Sequence, residues 1–327
     1  MPIPQAATAY RRGYSNPVAL REEITRAHAT SFWRTSATAV IDNLVLLLVV
    51  WAAGSPAARS RGLTVFGAVL VMAAVIAARQ LRALECLVHE ASHFNWSRRH
   101  RRAADLLATV LAAGPTGSGL SGYRESHLIH HGRFGTAQDP DRIRYGRLGL
   151  EDLDRRSLHG YVSGLAKRLG PYQLGWLRTL GSGSAAACMP LVWEIALVTL
   201  PAYLLGGLVW AGVSSATWLL SYIVVLPALR FVAESGEHIY QGTDTVVAAT
   251  ISNIGLLHRI LIHPHGDGYH TVHHLWPGIP HHRLAGVHRL LIANDAQYRD
   301  GLRYRTRVLE YPRTGVREGL SAEAGYL

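Results

Sequence analysis

His270-Thr271-Val272-His273-His274, followed by Leu275-Trp276-Pro277, places three histidines within five residues. His127-Leu128-Ile129-His130-His131 repeats the H-x-x-H-H spacing, and His89-Glu90-Ala91-Ser92-His93 is a shorter relative. Neutral imidazole offers one lone pair near physiological pH, which makes histidine a common metal ligand. On a helix, positions i, i+3 and i+4 share a face, so each H-x-x-H-H is expected to aim three nitrogens at one point. One such cluster is a weak signal. Two identical ones and a third in one chain are a strong signal, and they make the remaining chain the scaffold that gathers them.

Outward from the boxes, apolar residues bunch into long runs with the charges between them. The runs cover residues 37–53, 63–79, 188–211 and 215–233. A bilayer needs about 20 apolar residues per helix, so each run is long enough once its flanks are counted. Pro201 and Pro227 fall inside the later runs, where a transmembrane helix tolerates them. Short turns are expected at 54–62 and 212–215. Residues 104–113 are apolar but too few to span, which suits an interfacial or re-entrant helix. Residues 138–187 read as polar and irregular, with helix candidates near 151–158, and the chain after Ala233 reads as soluble in character. Three divisions follow: 1–36, an N-terminal segment with an interfacial helix near 17–32; 37–290, the membrane domain; and 291–327, a basic tail.

The net charge of +11 is carried almost wholly by arginine, and Lys167 is the only lysine. Segments 1–35, 79–103 and 281–313 are arginine-rich, whereas the two opposite turns hold only Arg59 and Arg61. Positive charge marks the cytoplasmic side, so both termini and all three boxes are expected there. No nucleic-acid-binding module pattern is present, and no nucleic-acid partner is expected. Cys86 and Cys188 are too few for a disulfide framework and form no C-x-x-C. Residues 1–35 lack the apolar stretch of a cleavable signal peptide.

The eight box histidines exceed the four ligands that one zinc takes, so two metals are the economical reading. An all-imidazole set suits iron, copper or zinc. Redox iron explains why so many neutral ligands gather at a membrane face. His238, where the fourth run ends, is a ninth candidate. Glu234 lies four residues earlier on the same face and could reach the metal directly or through water. His100, His159, His258, His263, His265, His281, His282 and His288 read as structural. Two other classes stay open. His89-Glu90-x-x-His93 matches the zinc protease motif with Glu90 as general base, which would make the chain an intramembrane metalloprotease. A membrane scaffold or metal carrier without catalysis is the other.

The boxes resemble those of the membrane fatty acid desaturase and hydroxylase superfamily. The resemblance rests on His89-Glu90-Ala91-Ser92-His93, on His127-Leu128-Ile129-His130-His131 with Asp139-Pro140-Asp141 after it, and on Tyr269-His270-Thr271-Val272-His273-His274-Leu275-Trp276-Pro277-Gly278-Ile279-Pro280 with Arg283-Leu284. Many members space the first box more widely or open the third with glutamine; this chain does neither. The resemblance covers roughly residues 37–290. It implies an all-α integral membrane four-helix bundle with a cytosolic helical cap, and a nonheme centre of two iron ions held by histidines. It implies O2-dependent desaturation of an acyl chain or acyl-like lipid, or hydroxylation by the same class of enzyme. Carried over by position, the ligands are His89, His93, His127, His130, His131, His238, His270, His273 and His274.

Carboxylates usually orient metal-bound imidazoles, and Glu90, Glu125, Asp139, Asp141 and Asp267 are candidates for that work. Asp139 and Asp141 could instead form a turn around Pro140. Trp96, Tyr123, Tyr269 and Trp276 line a substrate path or pack. The chain carries no flavin or dinucleotide fingerprint, so a separate electron donor such as a ferredoxin with its reductase is implied. The basic face would suit an acidic donor. The substrate would be a lipid or an acyl carrier conjugate.

Overall fold

The computed structural model describes residues 8–180 and 188–316, so the ends of the chain and residues 181–187 lie outside the described residues. Near the N-terminus a short turn leads into Arg21–Ala27 (α1). Leu20, Ile24 and Ala27 form one face of it and are buried in a core with Leu275, Ile279 and Leu284. The helix is shorter than the expected 17–32, and its apolar face packs on protein.

Phe32–Gly54 (α2) starts at Ser31, whose hydroxyl accepts from the Arg34 amide. Leu63–Ser92 (α3) is its antiparallel neighbour, and both are long and apolar enough to cross a membrane. Leu46, Val50, Ala77, Ala78 and Leu81 are buried between them. Ile41, Leu48, Val71 and Met72 face outward. No breaker falls between 79 and 92, so α3 runs on past its apolar part and carries His89 beyond it. Its charged groups there are paired: Arg82 donates to Asp267 at 2.7 Å, and Glu85 accepts from Arg230 at 2.9 Å.

Arg101–Ala108 (α4) continues through a widened turn to Thr116. The Leu111 carbonyl accepts from the Asn43 side chain at 2.8 Å, which seats this short apolar stretch against α2. Leu120–Gly132 (α5) carries the second box. Pro140–Leu148 (α6) and Leu158–Leu180 (α7) then occupy most of the stretch expected to be irregular. Proline at the first position of α6 suits a helix start, and Asp139 caps it. In α7 the ring of Tyr172 stacks on Phe231 with centroids 4.4 Å apart. Tertiary packing thus overrides the weak helix propensity of Gly164, Gly170, Pro171 and Gly175.

Met189–Glu234 (α8) is the third stretch apolar enough to cross a membrane, and it doubles back on itself. Gly207 sits at φ 78°, ψ −172°. Trp51 donates to the Val198 carbonyl at 3.2 Å, and Trp210 donates to the Trp51 carbonyl at 2.7 Å. In a straight helix residues 198 and 210 would lie about 18 Å apart, so both reach Trp51 only because the chain reverses between them. The turn is therefore at Gly207 and not at 212–215. The physical reason is the backbone: φ and ψ there are open almost solely to glycine.

His270–Leu275 (α9) and His281–Asn294 (α10) complete the helices that matter for the site. Within the basic C-terminal segment, residues 291–316 pack against the preceding chain. Strand Arg303–Arg305 pairs in parallel with Ser252–Asn253, and Tyr298, Leu302 and Tyr304 join the core around Val272 and Leu284.

Candidate metal centre

Four elements bring the histidines together. His89 and His93 stand one turn apart at the end of α3, and His127, His130 and His131 lie on α5. His238 follows the end of α8, and His270, His273 and His274 lie on α9. All nine sequence-derived candidates meet.

They meet as two adjoining groups. The ligand-capable atoms of His89, His93, His127, His131 and His273 lie within 4.8 Å of one another, as do those of His130, His238 and His274. In the first group Nε2 of His89 is 3.0 Å from that of His273, and Nε2 of His127 is 2.9 Å from that of His93. Nε2 of His131 is 3.0 Å from that of His273. In the second, Nε2 of His130 is 3.4 Å from that of His274, and Nε2 of His270 is 3.0 Å from that of His238. The rings of His131 and His274 stack at 4.4 Å and join the groups.

This corrects the expectation that each box aims at one point. His127 and His131 serve one group and His130 the other; His273 serves one and His270 and His274 the other. At 3.6 residues per turn, i and i+4 differ by about 40°, but neighbours such as 130 and 131 differ by about 100°. An H-x-x-H-H box therefore bridges two points.

Two carboxylates fix the outward nitrogens. Nδ1 of His130 donates to Asp139 at 2.8 Å, and Nδ1 of His89 lies 3.3 Å from Asp267. With Nδ1 carrying the proton, Nε2 is left as a lone pair pointing inward. Burial, reinforced by neighbouring imidazoles, holds His93, His127, His131, His238, His273 and His274 well below the ordinary histidine pKa. Burial brings His270 to about 3. Burial would lower His130 as well, but Asp141 and Asp139 outweigh it and raise that group.

The other carboxylates divide. Asp141 lies 3.7 Å from Nδ1 of His130 and pairs with Arg144 at 2.6 Å. Glu234 faces Arg144 at 3.3 Å, so its contact is an arginine rather than an imidazole. Glu90 accepts from the His281 backbone amide at 2.7 Å and so caps α10. That bond opposes both the imidazole-orienting role and the general-base role read for it, because the carboxylate is held by a helix end. Glu125 is exposed, about 200° around α5 from His127, and does not join the cluster.

His263, which the sequence marks only as structural, has close partners of its own. Its Nδ1 lies 3.2 Å from Asp267 and 3.7 Å from Glu237, a third close group. Arg82 donates to the same Asp267 oxygen, which makes this an ion network behind His89. Burial would raise Asp267, but Arg82, His263 and His89 outweigh it and hold it well below its ordinary value. Of the aromatic candidates, Tyr123 stacks on His127 with centroids 5.4 Å apart. Trp96, Tyr269 and Trp276 are buried packing residues.

The donor set fits a pair of metal ions. Neutral imidazoles turning lone pairs toward each other at about 3 Å repel unless a cation or a proton sits between them. A family model described as fatty acid desaturase matches residues 63–307. No curated protein matches the chain.

Proposed function

The chain belongs to the fatty acid desaturase family, and from that premise we propose that it is an O2-dependent oxidoreductase that desaturates an acyl chain or acyl-like lipid. The observation that carries this reading is the pair of adjoining imidazole groups. His89, His93, His127, His131 and His273 would hold one iron, and His130, His238, His270 and His274 the other. The iron pair, when bound, supplies O2 activation and removal of hydrogen from an unactivated C–H bond, chemistry that side chains do not offer.

This chain's own residues do the rest. Asp139 and Asp267 hold protons on the outward nitrogens and keep the rings in place. Phe134, buried against the rings of His130, His238 and His274, sets apolar material beside the second group that helps keep water from a reactive centre. The reversal at Gly207 supports a reading of the three apolar stretches as four passes, and the arginine distribution supports a helical cap that carries the boxes on the cytoplasmic side. A separate ferredoxin-like donor would deliver electrons to that face. Hydroxylation is the neighbouring outcome of the same chemistry, and product analysis separates the two.

The test is expression of the full chain with a donor system, followed by metal analysis and lipid profiling against a His273→Ala control. The expected result is two irons per chain and an O2-dependent unsaturated lipid absent from the control. One zinc per chain with O2-independent activity would overturn the reading in favour of hydrolysis.

A further inference from the structure

The segment Ile254-Gly255-Leu256-Leu257-His258-Arg259-Ile260-Leu261-Ile262 follows the last membrane stretch in sequence and belongs to the cap by position. Its side chains sort into two faces. Ile254, His258 and Ile262 are buried. Leu256, Leu257 and Ile260 are 54%, 53% and 57% exposed. Arg259 is exposed beside them.

Its position against α3 is fixed by two bonds. Arg79 donates to the Ile260 carbonyl at 2.9 Å, and Arg82 donates to the Ile262 carbonyl at 3.3 Å. Arg79 closes the apolar run of α3 and also lies 3.6 Å from Asp42 of α2. Below Asp42, toward the N-terminus of α2, the outward residues are still apolar: Ile41, Val40 and Trp33, the last 80% exposed. Ile260 thus stands level with positions on α2 and α3 whose outer faces are hydrophobic. An exposed tryptophan with an arginine beside it, as at Trp33-Arg34, is the usual mark of a bilayer boundary.

We propose that residues 256–260 form a monotopic membrane contact in which Leu256, Leu257 and Ile260 enter the acyl region of the cytoplasmic leaflet while Arg259 meets its headgroups. The occupant of this face is the lipid bilayer, because the patch continues the apolar outer surface of α2 and α3 at the same height. The inference rests on the reading that those helices span a membrane. The segment leads directly into His263 and Asp267, so the bilayer contact lies at the root of the bond that orients His89.

The test uses the full chain in phospholipid nanodiscs with Cys188→Ser, a single nitroxide at Leu257→Cys or Ile260→Cys, and power saturation by O2 and by a water-soluble nickel chelate. Labels at Val71→Cys and Arg307→Cys serve as lipid and water references. We expect the 257 and 260 labels to resemble 71, with collisions favouring O2. Nickel accessibility like that of 307 would overturn the proposal. Shielding from both reagents would also overturn it, because a second copy or another protein would then cover the face. A water-accessible label at 71 would overturn the membrane reading itself, a result distinct from failure at 257 and 260 alone.

Discussion

Asp139 accepts a hydrogen bond from Nδ1 of His130 at 2.8 Å with the same carboxylate that caps the helix beginning at Pro140. Its oxygens also accept from the amides of Asp141 and Gly135, both at 2.9 Å. The acid is fully buried, and the two roles read from sequence, a turn around Pro140 and support of an imidazole, are one structure.

Asp139→Asn separates them. Asparagine caps helices about as well as aspartate, but its NH2 would face the buried Gly135 amide that the second carboxylate oxygen now accepts from, so stability should fall by about 1–3 kcal/mol. The charge that fixes the His130 tautomer is lost, and loss of such support typically weakens metal affinity by about 10–100-fold. Chelator competition followed by metal analysis measures this. Unchanged affinity would mean that His130 needs no charged partner.

The turn at Gly207 predicts opposite signs for two glycines five residues apart. Gly207→Ala places a Cβ on a backbone conformation nearly closed to it and should destabilise by about 1–3 kcal/mol. Gly212 is helical, and a Cβ added there would meet nothing within 4 Å, so Gly212→Ala should stabilise by about 0.5–1 kcal/mol. Thermal unfolding in detergent distinguishes them. A reversal at 212–215 would give the opposite order.

Much of this was legible in the residues because it is local. Box spacing, run length and the helix-starting Asp139-Pro140 pair carry their meaning within a few positions. What was hidden depends on contacts between distant segments. Gly206-Gly207 lies among apolar residues on both sides, so hydropathy gave no sign of the bend. The helix over 158–180 contains glycines and a proline and is held by Tyr172 against Phe231. Glu90 fits a protease motif by sequence, yet its partner is an amide 191 residues away. His263 has no motif, and only the fold brings it to Asp267 and Glu237.

His288 predicts how stability of the metal-free chain depends on pH. It is buried beside the Tyr298 hydroxyl at 2.9 Å, and burial brings its pKa from 6.5 to about 3. Between those values the unfolded chain binds the proton and the folded one does not. Stability contributed by this group is therefore full above pH 6.5 and is lost as pH falls toward 3, by about 1.4 kcal/mol per pH unit. His288→Gln should flatten the acid limb of the stability curve by that slope and leave the curve above pH 7 parallel to wild type. Chemical unfolding at a series of pH values gives both limbs, and identical acid slopes would show that His288 titrates normally.

The unequal split of the histidines predicts unequal losses on substitution. The first group has five imidazoles within 4.8 Å, so His127→Ala leaves four donors, as many as the intact second group has. The second relies on His130, His238 and His274 with His270 beside His238, so His238→Ala leaves three. His238→Ala should therefore fall from two irons per chain to one, whereas His127→Ala should keep most of both while losing activity. Mass spectrometric metal counts on purified full-length variants, with protein quantified by amino-acid analysis, give the two numbers. Equal losses would show that the two groups fill as one cooperative unit, and loss of both irons from His238→Ala alone would show that the second group is what holds the first in place.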